Sequence, residues 1–131
     1  MRRHLERLAG IGVVLVCAVW PFIPGSSATS ANPLLIGRSG RHNAYVITLK
    51  FADGRKVQTI PAGTYTFVIH DYSRIHNFAL GSQTENKRLF TTGIPWIGTK
   101  RHTLTLTPGT YAYACSAHYQ TMNGAFVVTG S

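Results

Sequence analysis

Beyond residue 43, apolar side chains recur at every second position, a period that restricts the chain to strands with one buried face. Tyr45, Ile47, Leu49 and Phe51 alternate with Ala44, Val46, Thr48 and Lys50. Asp53-Gly54 is a turn signal, and Pro61-Ala62-Gly63 breaks the next run. Tyr65, Phe67 and Ile69 then alternate with Thr64, Thr66, Val68 and His70, and residues 76–80 offer a further short strand. Leu104 and Leu106 alternate with threonines, Pro108-Gly109 turns the chain, and Tyr111, Tyr113 and Cys115 share a face. Residues 124–129 supply a closing strand rich in β-branched and aromatic residues. No later segment has a 3.6-residue period, so short strands between regular turns predict an all-β sandwich or barrel.

The first 31 residues follow a different rule. Arg2, Arg3 and Arg7 precede an almost wholly apolar run from Leu8 to Trp20, and small residues follow around Ala28 and Ala31. That is the order of an export signal, with cleavage near either alanine. The run of about 13 residues is short of the ~20 that a spanning helix needs, although an uncleaved anchor is the rival reading. Residues 32–42 read as a flexible lead-in and 43–131 as one domain. A composition of 44% apolar and 13% charged residues suits a globular unit.

Removing the signal changes both the charge and the cysteine arithmetic. The 13 Lys and Arg fall to 10 with Arg2, Arg3 and Arg7 gone, and Asp53, Asp71 and Glu85 are the acids left, giving a formal +7. Such a surface suits acidic protein partners or anionic polymers, against the plainer reading of a solvated basic surface. The basic residues form no stripe interleaved with aromatics, which argues against nucleic acid. Cys17 leaves with the signal, so Cys115 stands alone, and a lone thiol in an oxidising compartment is buried and inert or occupied.

The neighbourhood of Cys115 favours occupation. His118 follows it by three residues and Met122 by seven, where a strand ends and the chain turns. One thiolate, two imidazoles and a weak axial thioether make the donor set of electron-transfer copper sites. Structural zinc would want more cysteines, and haem attachment would want a second cysteine with an adjacent histidine. Strand phase nominates the upstream histidine. His76 is in register with Phe78 and Leu80, whereas His70 is out of phase with Phe67 and Ile69, and His42 precedes the first strand. His102 is the rival, because it is in phase with Leu104 and Leu106 and counts back level with Cys115 through Pro108-Gly109. Met122 has the alternative role of filling a core gap.

Three stretches together, residues 73–78 (SRIHNF), 108–118 (PGTYAYACSAH) and 122–128 (MNGAFVV), resemble the cupredoxins, most of all the plastocyanin and azurin group. The resemblance covers residues 43–129. It implies a Greek-key sandwich of about eight strands with one copper ion at one end. It further implies that His76, Cys115 and His118 are equatorial ligands, that Met122 is axial, and that Asn77 ties the first ligand's segment to the loop after the cysteine. Similar sequences commonly carry an aromatic residue where His102 stands. That departure leaves open a second metal contact or a pH-sensitive neighbour.

The expected function is that of an exported, monomeric, periplasmic or secreted electron carrier. Its copper would cycle between Cu(I) and Cu(II) as it serves redox partner proteins with acidic docking surfaces. Contact with a membrane is expected only through an uncleaved signal. Tyr119, Ile94, Pro95 and Trp96 would form a docking surface or half-buried packing. The alternatives are copper storage or delivery without redox turnover, and a copper-free scaffold. No enzyme is expected. No His-x-His pair or second unit suggests a multicopper oxidase, and no third group orients His118 against Cys115 for thiol hydrolysis.

Overall fold

In the computed structural model, residues 30–130, together with Pro21 and Gly25, are described. The export-signal reading and Cys17 fall outside them. Among the described residues, nine strands form two mixed sheets. The first sheet orders β2 (Ile47–Phe51), β1 (Leu34–Ser39), β4 (Gly63–Asp71) and β7 (Gly98–Leu106). The second orders β3 (Thr59–Pro61), β9 (Asn123–Thr129), β8 (Gly109–Ala114), β5 (Ala79–Ser82) and β6 (Lys87–Thr91). Two strand pairs are parallel, β1 with β4 and β3 with β9, and the other pairs are antiparallel.

The alternation places the core between the sheets. Leu35, Leu49, Tyr65, Phe67, Ile69 and Leu106 enter from one side, and Leu80, Phe90, Tyr111, Tyr113, Phe126 and Val128 from the other. Burial of such side chains is the main force holding the layers together, at about 1.5–3 kcal/mol for each fully buried one. Phe78 and Tyr113 stack with centroids 5.6 Å apart, and Phe67 meets Phe90 edge-on at 5.7 Å. His70 lies outside, as its phase predicts, with Nδ1 at 2.9 Å from Thr99 Oγ1.

Three details differ from the expected pattern. The stretch read as a flexible lead-in contains β1, which lies between β2 and β4. Its inward positions are Leu35, Gly37 and Ser39, so one large apolar residue is all that the alternation shows. Gly37 is required by close packing, because a Cβ there would lie 2.5 Å from Ile69 Cδ1 and 2.8 Å from Phe78. Second, the strand expected over 76–80 begins at Ala79, and His76, Asn77 and Phe78 form the buried approach to it. Third, Pro108-Gly109 carries the chain from one sheet to the other and closes no hairpin, since β7 pairs with β4 and β8 pairs with β5 and β9.

Every strand end that matters to the site points the same way. The ends of β1, β4 and β8 and the starts of β5 and β9 lie at one pole, where Asn77 in the segment 72–78 is hydrogen-bonded to Ser116 in the segment 115–122.

Candidate metal centre

Cys115 follows the last residue of β8, at the point where inward alternation carries Tyr111 and Tyr113 into the core. The segment after it is held by its own backbone. His118 N–H donates to Cys115 C=O at 3.1 Å, Met122 N–H to His118 C=O at 2.8 Å, and Cys115 N–H to Met122 C=O at 3.0 Å. Cys115, His118 and Met122 are therefore bonded to one another through the main chain whatever their side chains do.

His76 arrives from the other segment. Its Nδ1 lies 3.0 Å from His118 Nδ1 and 3.8 Å from Cys115 Sγ, and Cys115 Sγ lies 3.6 Å from His118 Nδ1. The point equidistant from the three atoms is about 2.0 Å from each, the length of an imidazole bond to a small transition-metal ion and about 0.3 Å short of a thiolate bond, so an ion would sit slightly farther from the sulfur. His76, Cys115 and Met122 are fully buried and His118 is half-buried. Met122 thus brings a soft sulfur to the loop that carries two of the three donors. Nitrogen and soft sulfur, with no carboxylate among the three converging atoms, suit copper better than calcium, magnesium or manganese.

The residues around the donors fix their directions. His76 Nε2 lies 3.3 Å from Asn43 C=O, which can only accept, so Nε2 carries the proton and Nδ1 keeps a free lone pair. Asn77, 4% exposed, accepts from Ser116 N–H at 2.7 Å and donates to Ser116 Oγ at 2.7 Å and Thr92 C=O at 3.2 Å. Ser39 Oγ donates to Asn77 C=O at 2.9 Å. Deeper in, Thr92 Oγ1 donates to Asp71 at 2.6 Å and accepts from Phe78 N–H at 2.8 Å. Burial pushes the Asp71 carboxyl above its ordinary range, against the Thr92 and Ser73 hydrogen bonds.

Of the histidines weighed from the sequence, His76 joins Cys115 and His118, and His42, His70 and His102 do not. His102 sits opposite Phe67 in the β4–β7 pair and stacks on Phe90 with centroids 4.1 Å apart. Its Nε2 is buried without a hydrogen-bond partner. Burial, and after it the Lys100 charge, hold this imidazole below its usual range. It occupies an aromatic slot, as the resemblance suggests.

Sequence reasoning missed the segment from Gly40 to Val46, which wraps His76. A Cβ on Gly40, at φ +67°, would lie 2.9 Å from His76 Cδ2 and 2.6 Å from Ser73 Cβ. Ser73 Oγ donates to Asn43 Oδ1 at 2.8 Å. Tyr45 meets both imidazoles edge-on, with centroids 4.8 Å from His76 and 4.7 Å from His118. The inward phase of Asp71, two residues beyond Ile69 in β4, was the one available sign of the buried acid.

No family model matches the chain, and no curated protein does. Solved structures do. Rusticyanin from Thiobacillus ferrooxidans is similar at 18% identity over 73% of this chain and 76% of that one, with a TM-score of 0.55. Auracyanin A, a "blue" copper protein from the green thermophilic photosynthetic bacterium Chloroflexus aurantiacus, is similar at 20% identity over 76% of this chain and all of its own, with a TM-score of 0.52. The chain has the cupredoxin fold, with nine strands among the described residues where about eight were expected.

Proposed function

We propose that this chain is an exported mononuclear type 1 copper protein that carries single electrons between redox partner proteins. The observation that carries the reading is the triangle of His76 Nδ1, Cys115 Sγ and His118 Nδ1 at one pole of a cupredoxin sandwich, with Met122 buried in the same loop. The structural neighbours named above support it, since both are copper proteins. Copper, when bound, would supply the Cu(I)/Cu(II) couple.

The chain's own residues do the rest. His76, Cys115 and Met122 exclude water, and the backbone bonds of residues 115–122 together with the Asn77 clamp resist rearrangement. Low rearrangement keeps the barrier to electron exchange small. His118 is the one half-buried donor, and its ring borders a cleft of about 460 Å³ with Tyr45, Ala117, Tyr119, Gln120 and Thr121. Electrons would pass through that edge. The exposed apolar residues Tyr45, Ile75, Ile94 and Tyr119 stand on the segments that connect strands at this pole and would give a partner apolar surface to desolvate. Partners with acidic surfaces fit the basic charge, and a periplasmic or secreted location fits the N-terminal sequence. In this reading the protein is a monomeric carrier and not an enzyme.

Copper storage or delivery would use the same donors. The full burial of His76 and Cys115 favours retention over release. One equivalent of Cu(II) should produce an intense thiolate-to-copper charge-transfer band in the visible, and Cys115→Ser should abolish it. A colourless Cu(II) protein, or a blue Cys115→Ser variant, overturns the proposal. Rapid loss of copper to a competing acceptor protein would favour delivery.

A further inference from the structure

We infer that Tyr45 is a positioning residue for the metal-binding imidazoles, a role that rests on the copper reading above. The rings of Tyr45, His76 and His118 form a closed triangle of edge-on contacts, with centroid separations of 4.8, 4.7 and 4.7 Å and interplanar angles of 77°, 72° and 68°. Each ring therefore limits the tilt of the other two. Edge-to-face packing at this separation is a favoured aromatic arrangement. The two histidines alone would share one contact, and the tyrosine adds two more.

Tyr45 can act as a fixed wall because its own segment is held from both sides. Gly40 N–H donates to Val46 C=O at 3.1 Å and closes the loop. Gly40, His42 and Asn43 adopt left-handed conformations, with φ of 67°, 55° and 57°. Asn43 is then pinned by Ser73 Oγ at 2.8 Å and faces His76 Nε2 with its carbonyl. One face of the site loop thus sets the tautomer of His76, and Tyr45 sets the attitude of both rings. The tyrosine is 56% exposed, so little core packing depends on it. Its inner side is spent on the imidazoles, and His118 is the donor that solvent would otherwise reach.

The test compares Tyr45→Ala, Tyr45→Leu and Tyr45→Phe in the otherwise unchanged protein, using competition for Cu(I) with bathocuproine disulfonate and the visible spectrum of the Cu(II) form. Loss of a residue that orients metal ligands lowers affinity by about 10–100-fold. The Ala and Leu variants should fall in that range and shift the charge-transfer band, while their apo forms melt cooperatively. Tyr45→Phe should stay within about threefold of the parent, with the parent band, because the ring and not the hydroxyl does the positioning. Parent-like affinity and spectrum in Tyr45→Leu overturn the inference, as does a change confined to the rate of exchange with an external redox reagent. If the parent itself forms no blue species, the copper reading falls separately. In that case ¹³C relaxation of the His76 and His118 rings in the apo protein decides the Tyr45 role: faster ring motion in Tyr45→Leu supports it, and unchanged motion overturns it.

Discussion

Asn77 holds Ser116 by two hydrogen bonds of 2.7 Å, accepting from its backbone N–H and donating to its hydroxyl. This pair joins the segment that carries His76 to the loop that carries Cys115 and His118, 39 residues apart in sequence. Asn77→Ala removes both bonds to the Ser116 groups and one of the two bonds that Thr92 C=O accepts, the other coming from Thr91 Oγ1, and each bond lost costs about 0.5–1.5 kcal/mol. Chemical denaturation of the apo protein should show that loss, and the copper-loaded variant should exchange electrons with its surroundings more slowly as the cage loosens. Unchanged stability would mean that water replaces the amide at no cost.

Met122 allows a cleaner separation of packing from ligation. Met122→Leu conserves volume in a fully buried place, so stability should change by less than about 1.5 kcal/mol. If Met122 is the axial ligand, the reduction potential should nevertheless rise, because the oxidised ion would lose the more by removal of a sulfur donor. Met122→Gln should lower the potential, since an amide oxygen is a harder donor that favours Cu(II). Identical potentials in all three proteins would assign Met122 to packing alone.

His102 predicts a specific dependence on acid. Its folded-state pKa is held below the ordinary 6.5 by burial first and by Lys100 second. The neutral ring is the one the fold accepts, so its contribution is complete above about 6.5 and is lost as the pH falls toward the lower folded value. The side chains it meets, Phe90 by stacking and Phe67 by strand pairing, offer no compensating acid. Melting temperatures across this range should fall less steeply for His102→Phe than for the parent. Parallel curves would show that the ring titrates freely.

Different parts of the molecule were legible in the sequence to different degrees, for physical reasons. Tyr65, Phe67, Ile69, Tyr111 and Tyr113 announced their strands because large apolar residues fill successive inward positions. Cys115, His118 and Met122 were visible because local backbone bonds, and not distant packing, bring them together. His76, which lies beside Cys115 and His118, was nominated through an element that does not exist there. The phase argument assumed a strand, whereas His76, Asn77 and Phe78 are all buried before β5 begins. His102 was set level with Cys115 by assuming a hairpin at Pro108-Gly109, and that turn changes sheets. Tyr45 was assigned to the inner face of a strand that starts at Ile47. The left-handed residues that turn it toward the imidazoles include a histidine and an asparagine, and neither marks a turn as plainly as glycine.

The placement of β1 has a practical consequence for anyone who trims this protein to its evident domain. A shortened chain beginning at residue 43 would keep every metal donor and every strand that alternation reveals. It would also lack the member that bridges β2 and β4, leaving two exposed rows of unpaired peptide groups inside what had been one sheet. Gly40 would be gone, and with it the loop closure that sets the angle at which Tyr45 approaches. Such a fragment would be expected to aggregate, and its failure to turn blue would say nothing about the donors themselves.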